Sequence, residues 1–226
     1  MLKPIARGLP AGLSPAVRAV PGVLSLLLAL SGARAYAALR PGWQAVEERR
    51  LVLSASDLTP GSLSSAFTPG VQAWAPEILQ WSEEHALEPA LVATVMQIES
   101  CGSTHATSPS GAMGLFQVMP FHFHGNEDPY DPATNALRGL NYLAGALQLS
   151  GGRVDLALAG YNAGHSAILL PPAEWPAETQ RYVYWGAGIL DDIAAGRIPS
   201  PRLEEWARAG GDHLCAETRS VALAPP

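Results

Sequence analysis

The sequence is nearly devoid of lysine. Lys3 is its only one, arginine supplies the rest of the 14 basic residues, and 20 acids leave a formal net charge of −6. No basic stripe exists, which argues against a nucleic-acid partner. Charged residues are scarce at 15%, against 48% hydrophobic, which fits a globular chain rather than a disordered one. Apolar–polar alternation of the kind strands show is absent throughout. The apolar run from Val20 to Gly32 falls short of the ~20 residues that span a bilayer, and Arg34 follows it. Cysteine is limited to Cys101 and Cys215.

What is present divides the chain into four stretches. Residues 1–35 read as a targeting segment: Lys3, Arg7 and Arg18 without an acid, the apolar run, and the small-x-small triplet Ala33 to Ala35. They serve as a cleaved export signal or as a retained N-terminal membrane anchor. Either way the remainder lies outside the cytoplasm, in the periplasm or the extracellular wall. Cleavage would remove four basic groups and no acid, leaving a still more acidic protein. Residues 36–69 mix one short helix (Trp43 to Leu53) with Ser, Gly and Pro clusters, and read as a linker. Residues 70–195 form the domain, and 196–226 a C-terminal extension. In an oxidising compartment Cys101 and Cys215 pair, or they stand as two unrelated thiols.

The domain is helical from Val71 onward. Trp74, Ile78, Leu79 and Trp81 keep helical spacing, with Pro76 in the first turn. Pro89 opens a helix with Leu91, Val92, Val95, Met96 and Ile98 as a broad apolar face, stopped near Gly102. Ala112 to Met119 is an apolar turn within loop chemistry. Asp131 caps a long helix that starts with Pro132 and ends at Gly151-Gly152. Further helices run to Gly164, enter through Pro176, and occupy the stretch from Ser200 to Gly211. The expected fold class is all-α, a single core.

Glu99 stands where an apolar helix must stop. Such a carboxyl is a solvated helix end or a tuned acid. Burial and the negative end of the helix dipole both raise its pKa, and a carboxyl kept protonated near neutral pH is what a general acid needs.

Four stretches decide between these readings: "QIESCGSTHATSPSGAMGLFQVMP", "DPATNALRGLNYLAGAL", "LALAGYNAG" and "PAETQRYVYWGAGIL". Together they resemble the catalytic domain of soluble-type (family 1) lytic transglycosylases, goose-lysozyme-like members of the lysozyme superfamily. The resemblance spans about residues 70–192 and implies a lysozyme-like domain with a deep substrate cleft. Position by position, Glu99 matches the single catalytic acid/base, and Ser100 the serine that orients the acid or the bound sugar. Gly114, Leu115, Phe116 and Gln117 match the Gly-Leu-Met-Gln motif, with Phe116 in place of methionine. Tyr161 and Asn162 belong to the Ala-Tyr-Asn-Ala-Gly motif, whose leading alanine is Gly160 here. Tyr182 matches a tyrosine that lines the cleft.

The resemblance implies cleavage of the β-1,4 bond between N-acetylmuramic acid and N-acetylglucosamine in peptidoglycan, with no cofactor, glycan strands as partner and a monomeric enzyme. Two other readings stay open: a muramidase-type hydrolase on the same fold, and a non-catalytic glycan-binding module. Glu127, Asp128, Asp131 and Asp155 read as capping or solvated acids rather than a second catalytic carboxylate. Phe121 to His124 ("FHFH") lacks a matched third ligand and reads as a loop wall beside the cleft, with no metal expected. Trp74 and Trp81 are expected in the core; Trp175 and Tyr184 suit core or cleft.

Overall fold

The computed structural model describes residues 62–216, all within one of the chain's two compact units, Leu53–Pro226. The expected export segment, and the linker as far as residue 61 with its Trp43 to Leu53 helix, lie outside the described residues. Among the described residues no helix is long and apolar enough to cross a membrane.

The described residues are helical, with α1 Pro69–Gln72, α2 Ala75–His85, α3 Pro89–Glu99, α4 Pro132–Leu149, α5 Val154–Ala163, α6 Ala177–Ala194 and α7 Pro201–Trp206. They include no strand; two isolated antiparallel bridges, Thr107 to Met113 and Met113 to Val118, tie the loop after α3. Proline accounts for many of the helix starts. It occupies the first or second position of α1, α2, α3, α4 and α7. There its missing N–H costs nothing and its fixed φ suits the helix. Asp131 caps α4 as its position suggests, accepting from Thr134 N at 2.8 Å.

α3 is the axis of the core. Leu91 to Gln97 are all buried, Thr94 and Gln97 included, so the helix is enclosed rather than one-faced. α2 and α6 pack against it, α5 lies between α4 and α6, and α7 rests on α6. Trp81 is in this core, with Trp74 stacked on it at 6.1 Å; Trp175 is buried as well. Tyr184 instead lies half-exposed under the Arg202 guanidinium, its hydroxyl bonded to Glu205.

The packed body reaches beyond residues 70–195 on both sides. Phe67 is 3% exposed in the core, and Leu203, Trp206 and Cys215 join the same cluster. A Cys101–Cys215 disulfide joins these parts, with Cα atoms 5.1 Å apart. The fully buried Gln97 faces both sulfurs, at 3.2 and 3.6 Å from Nε2, while its Oε1 accepts from the Thr68 backbone and hydroxyl. One side chain of α3 thus links the segment before α1, the disulfide and the core.

A crosslink closing a 114-residue separation contributes up to about 4–5 kcal/mol by chain entropy. Replacing both cysteines by serine is expected to lower the melting temperature by roughly 5–15 °C, read by circular dichroism in the absence of reductant. An unchanged melting temperature would show that the bond carries no stability.

Candidate active site

α3 ends where its chain reverses. Cys101 takes a left-handed φ of 53° and Gly102 follows at 84°. A Cβ on Gly102 would stand 2.5 Å from the Gly70 carbonyl oxygen, so only glycine fits there. Glu99, the last residue of α3, is thereby held at partial exposure at the edge of the core.

The turn at 113–118 is built against that end. Ser100 is fully buried and donates its hydroxyl to Leu115 O at 2.7 Å. It positions the turn beside the acid; a hydroxyl so committed and enclosed does not meet a sugar. Leu115 and Phe116 shape the turn from inside the core, both side chains being fully buried. Phe116 packs edge-on against Trp81 at 6.0 Å, and the space its ring needs comes from Gly139, whose added Cβ would stand 2.6 Å from Phe116 Cβ. Gln117 holds a left-handed φ of 47°, and its Nε2 donates to Ala106 O at 3.1 Å and Gly114 O at 3.0 Å.

Asn135 of α4, absent from the sequence expectations, anchors this turn. It is fully buried, donates to Met113 O and Pro129 O, and accepts from Phe116 N, each at 2.8 Å. Three such bonds contribute on the order of 3 kcal/mol. Gly114 (φ 75°) passes so close that a Cβ would sit 2.3 Å from the Asn135 amide nitrogen. The available signal was one amide inside the apolar face of a helix, where an unsatisfied polar group is costly.

The opposite wall comes from the end of α5 and the start of α6. Tyr161 donates to Phe116 O at 2.7 Å, and Asn162 Oδ1 accepts from Thr179 Oγ1 at 2.7 Å. Thr179 is 1% exposed, so Asn162 is held from the core side. Gly160, standing where the motif has alanine, is matched by Ile168, whose Cδ1 lies 2.7 Å from where a Cβ would be. The helix keeps its packing without the methyl.

Glu99 is the electrostatic centre. Burial pushes its carboxyl up to about 8, and the negative charge of Glu178 pushes the same way; only Tyr182 favours the charged form. The Tyr182 hydroxyl is buried within reach of Glu99 but falls short of a full hydrogen bond, so burial decides. Tyr161 and Tyr182 are held well above the usual tyrosine range, first by burial and then by the Glu99 charge, and stay protonated. The structure thus brings Glu99, Tyr161 and Tyr182 into one electrostatic cluster, with Asn162 and Gln117 on flanking elements.

The remaining acids have other employment. Glu127 pairs with Arg138 and accepts from His124 N, which hold it down to about 2; Asp131 caps α4; Asp128 accepts from Tyr130 N; Asp155 pairs with Arg153. Glu178, exposed in the first turn of α6, is the acid whose charge Glu99 feels, and the sequence reading passed over it.

Because the folded-state pKa of Glu99 lies above its unfolded value of 4.5, the folded form binds the extra proton between pH 4.5 and about 8. Stability from this group therefore falls as pH rises through that window and is level on either side. Glu99→Gln is expected to be more stable than the parent at pH 8, by on the order of 4 kcal/mol, and to match it near pH 4. Paired thermal melts at the two pH values read this out; an equal difference at both would refute the buried-acid account.

Residues 76–174 match the family described as the Transglycosylase SLT domain. The chain is 37% identical over 146 residues to the transglycosylase of Enterobacteria phage PRD1, covering 56% of this chain and 53% of that protein. It is 29% identical over 114 residues to the membrane-bound lytic murein transglycosylase C of Yersinia enterocolitica, covering 42% and 32%. With the membrane-bound lytic murein transglycosylase E of Buchnera aphidicola it shares 32% identity over 83 residues, covering 31% and 39%. The chain thus spans about half or less of the length of these relatives. The family match over residues 76–174 and the transglycosylases among the relatives support a lysozyme-like lytic transglycosylase domain in the helical body that carries Glu99.

Proposed function

We propose that this protein is a peptidoglycan lytic transglycosylase that uses Glu99 as its single acid and base. The observation that carries the reading is a carboxyl with a pKa raised to about 8 at the rim of a wall built from Tyr161, Asn162 and Tyr182. A carboxyl protonated at neutral pH donates a proton; an ordinary carboxylate does not.

In the first step Glu99 gives its proton to the glycosidic oxygen between N-acetylmuramic acid and N-acetylglucosamine. The C1–O bond breaks, and the substrate's own N-acetyl oxygen shares the positive charge left on C1. In the second, the Glu99 carboxylate takes the proton of the C6 hydroxyl of the same muramyl residue. Its oxygen bonds to C1 and closes a 1,6-anhydro ring. Glu99 ends protonated, no water enters, and the nucleophile gains from being held in the same molecule. The Tyr182 hydroxyl, protonated and without a full hydrogen bond, is available to the carboxylate that exists between the steps.

One observation favours a hydrolytic alternative. Glu178 is a second carboxylate close enough to affect Glu99, and two carboxylates with a water between them make an inverting glycosidase. Its exposure leaves it solvated rather than directed at the bond.

The same reading places the protein at the bacterial wall, exported or membrane-anchored through residues 1–35 and acting as a monomer. Two relatives bear the description membrane-bound, and a disulfide suits an oxidising compartment.

Digestion of purified peptidoglycan followed by mass analysis is expected to give 1,6-anhydromuramyl ends. Reducing muramyl ends would mean hydrolysis, and no cleavage would mean a binding module. Glu99→Gln is expected to lower kcat by about 10²–10⁴. In the parent, activity should decline above about pH 8 as Glu99 loses its proton.

A further inference from the structure

Phe121 and His122 open the "FHFH" run, just beyond Pro120, where the first motif stretch ends. Phe121 is 74% exposed, whereas the other phenylalanines, Phe67, Phe116 and Phe123, are buried or half-buried. Its ring does not hang free. It leans on the His122 ring at 4.5 Å, His122 leans on Tyr142 at 4.8 Å, and Tyr142 stacks on His165 at 4.0 Å. Gly145 leaves room for the last ring, since an added Cβ would stand 3.3 Å from His165 Cε1. Tyr142 in turn lies 5.9 Å from Tyr161, whose hydroxyl holds the turn beside Glu99. A continuous row of rings thus connects one exposed, oriented aromatic side chain to the wall around the acid.

Next to this row lies a pocket of about 260 Å³, lined by His122, Arg138, Asn141, Tyr142 and His165. Its one permanent charge is already answered: Arg138 pairs through Nε and Nη2 with Glu127. Burial, and then the neighbouring His165, push the His122 imidazole below its usual range, which keeps it neutral near pH 7. A neutral imidazole carries one donor and one acceptor nitrogen. His165 donates its Nε2–H to Tyr142 O at 3.1 Å, which in the neutral ring leaves Nδ1 as an acceptor. The Asn141 amide adds a donor and an acceptor. Such a lining fits a neutral ligand whose groups both give and accept hydrogen bonds, as sugar hydroxyls and acetamido groups do. The volume is below the roughly 300–1,000 Å³ of a whole ligand site, so it takes one ring of a longer strand.

We propose that Phe121 and this pocket form an accessory subsite for one neutral N-acetylated sugar ring, resting on the wall-glycan reading above for the identity of the strand. The apolar C–H face of the sugar lies on the Phe121 ring, and its polar edge turns to Asn141, His122 and His165. Each half of a pyranose then meets its own kind of surface. The aromatic ring covers the face that water solvates poorly, while the hydroxyls and the acetamido group exchange water for protein partners. In a chain with 20 acids against 14 basic residues, this subsite holds a strand without calling on opposite charge. Its ring-bearing residues stand outside the four motif stretches or at their edge: His165 directly follows the Tyr-Asn-Ala-Gly run, and Phe121 and His122 follow Pro120.

The test uses the full-length Glu99→Gln variant, so that binding is read without turnover. The probe is a β-1,4-linked pentamer of N-acetylglucosamine, which is neutral and carries no peptide. We expect Phe121→Ala on this background to weaken pentamer binding about tenfold, and Phe121→Trp to restore it. With Phe121 in place, the pentamer should shift the ring-proton resonances of Phe121 and His122. Sugar C–H resonances should move upfield, as they do when a face stacks on an aromatic ring. Equal affinity with and without the Phe121 ring, unmoved ring resonances, or no binding of the pentamer overturns the proposal. The resonances are read on the unaltered subsite, so they do not depend on how the Phe121 variants fold. Peptidoglycan digestion by the parent protein is scored separately. Lysis without ring-dependent pentamer binding removes the subsite and keeps the reaction; ring-dependent binding without lysis does the reverse.

Discussion

The site depends on a helix that cannot move. α3 is buried on every side along Leu91 to Gln97, and Glu99 is fixed to its end. A carboxyl on an exposed helix would rotate toward water and ionise. Here the cost of leaving the core holds the helix, and the helix holds the carboxyl where charge is unfavourable. The raised pKa of this carboxyl is thus a by-product of packing. The left-handed turn at Cys101 and Gly102 then carries the chain away, so the helix ends at the acid rather than running on past it.

Around this fixed point the structure uses polar atoms sparingly and inside the core. Ser100 and Asn135 face the turn at 113–118 from opposite sides, and Thr179 holds Asn162 from behind. Each is buried, and each is hydrogen-bonded to protein. A ligand meets side chains whose orientation is already decided, so little ordering remains to be done on binding.

The helices were legible in the sequence because their signals are local. Pro89, Asp131 with Pro132, and Gly164 mark boundaries through chain geometry alone, and the structure follows them. Glu99 was legible as a problem, a charge at an apolar end, and the motifs around it gave that problem a family. The helpers were not legible. Asn135 and Thr179 act across 19 and 17 residues of sequence, and neither spacing carries a periodic trace. Glu178 looked like one more exposed acid; its importance arises only because the start of α6 faces the end of α3. Ser100, Leu115 and Phe116 stand within the motifs, and their burial makes them supports of the turn beside Glu99. Burial is a property of the assembled fold, which a motif match does not report.

The disulfide also sets an order in time. The turn that follows Glu99 is locked by a partner 114 residues downstream, in the last described helical segment. A growing chain makes the acid long before it makes Cys215. Until that segment arrives, Cys101 is a free thiol and the turn rests on Ser100 and its bond to Leu115. The finished geometry around the acid is therefore a late event in the life of each molecule, reached only after synthesis has passed Cys215 and the chain has met an oxidant.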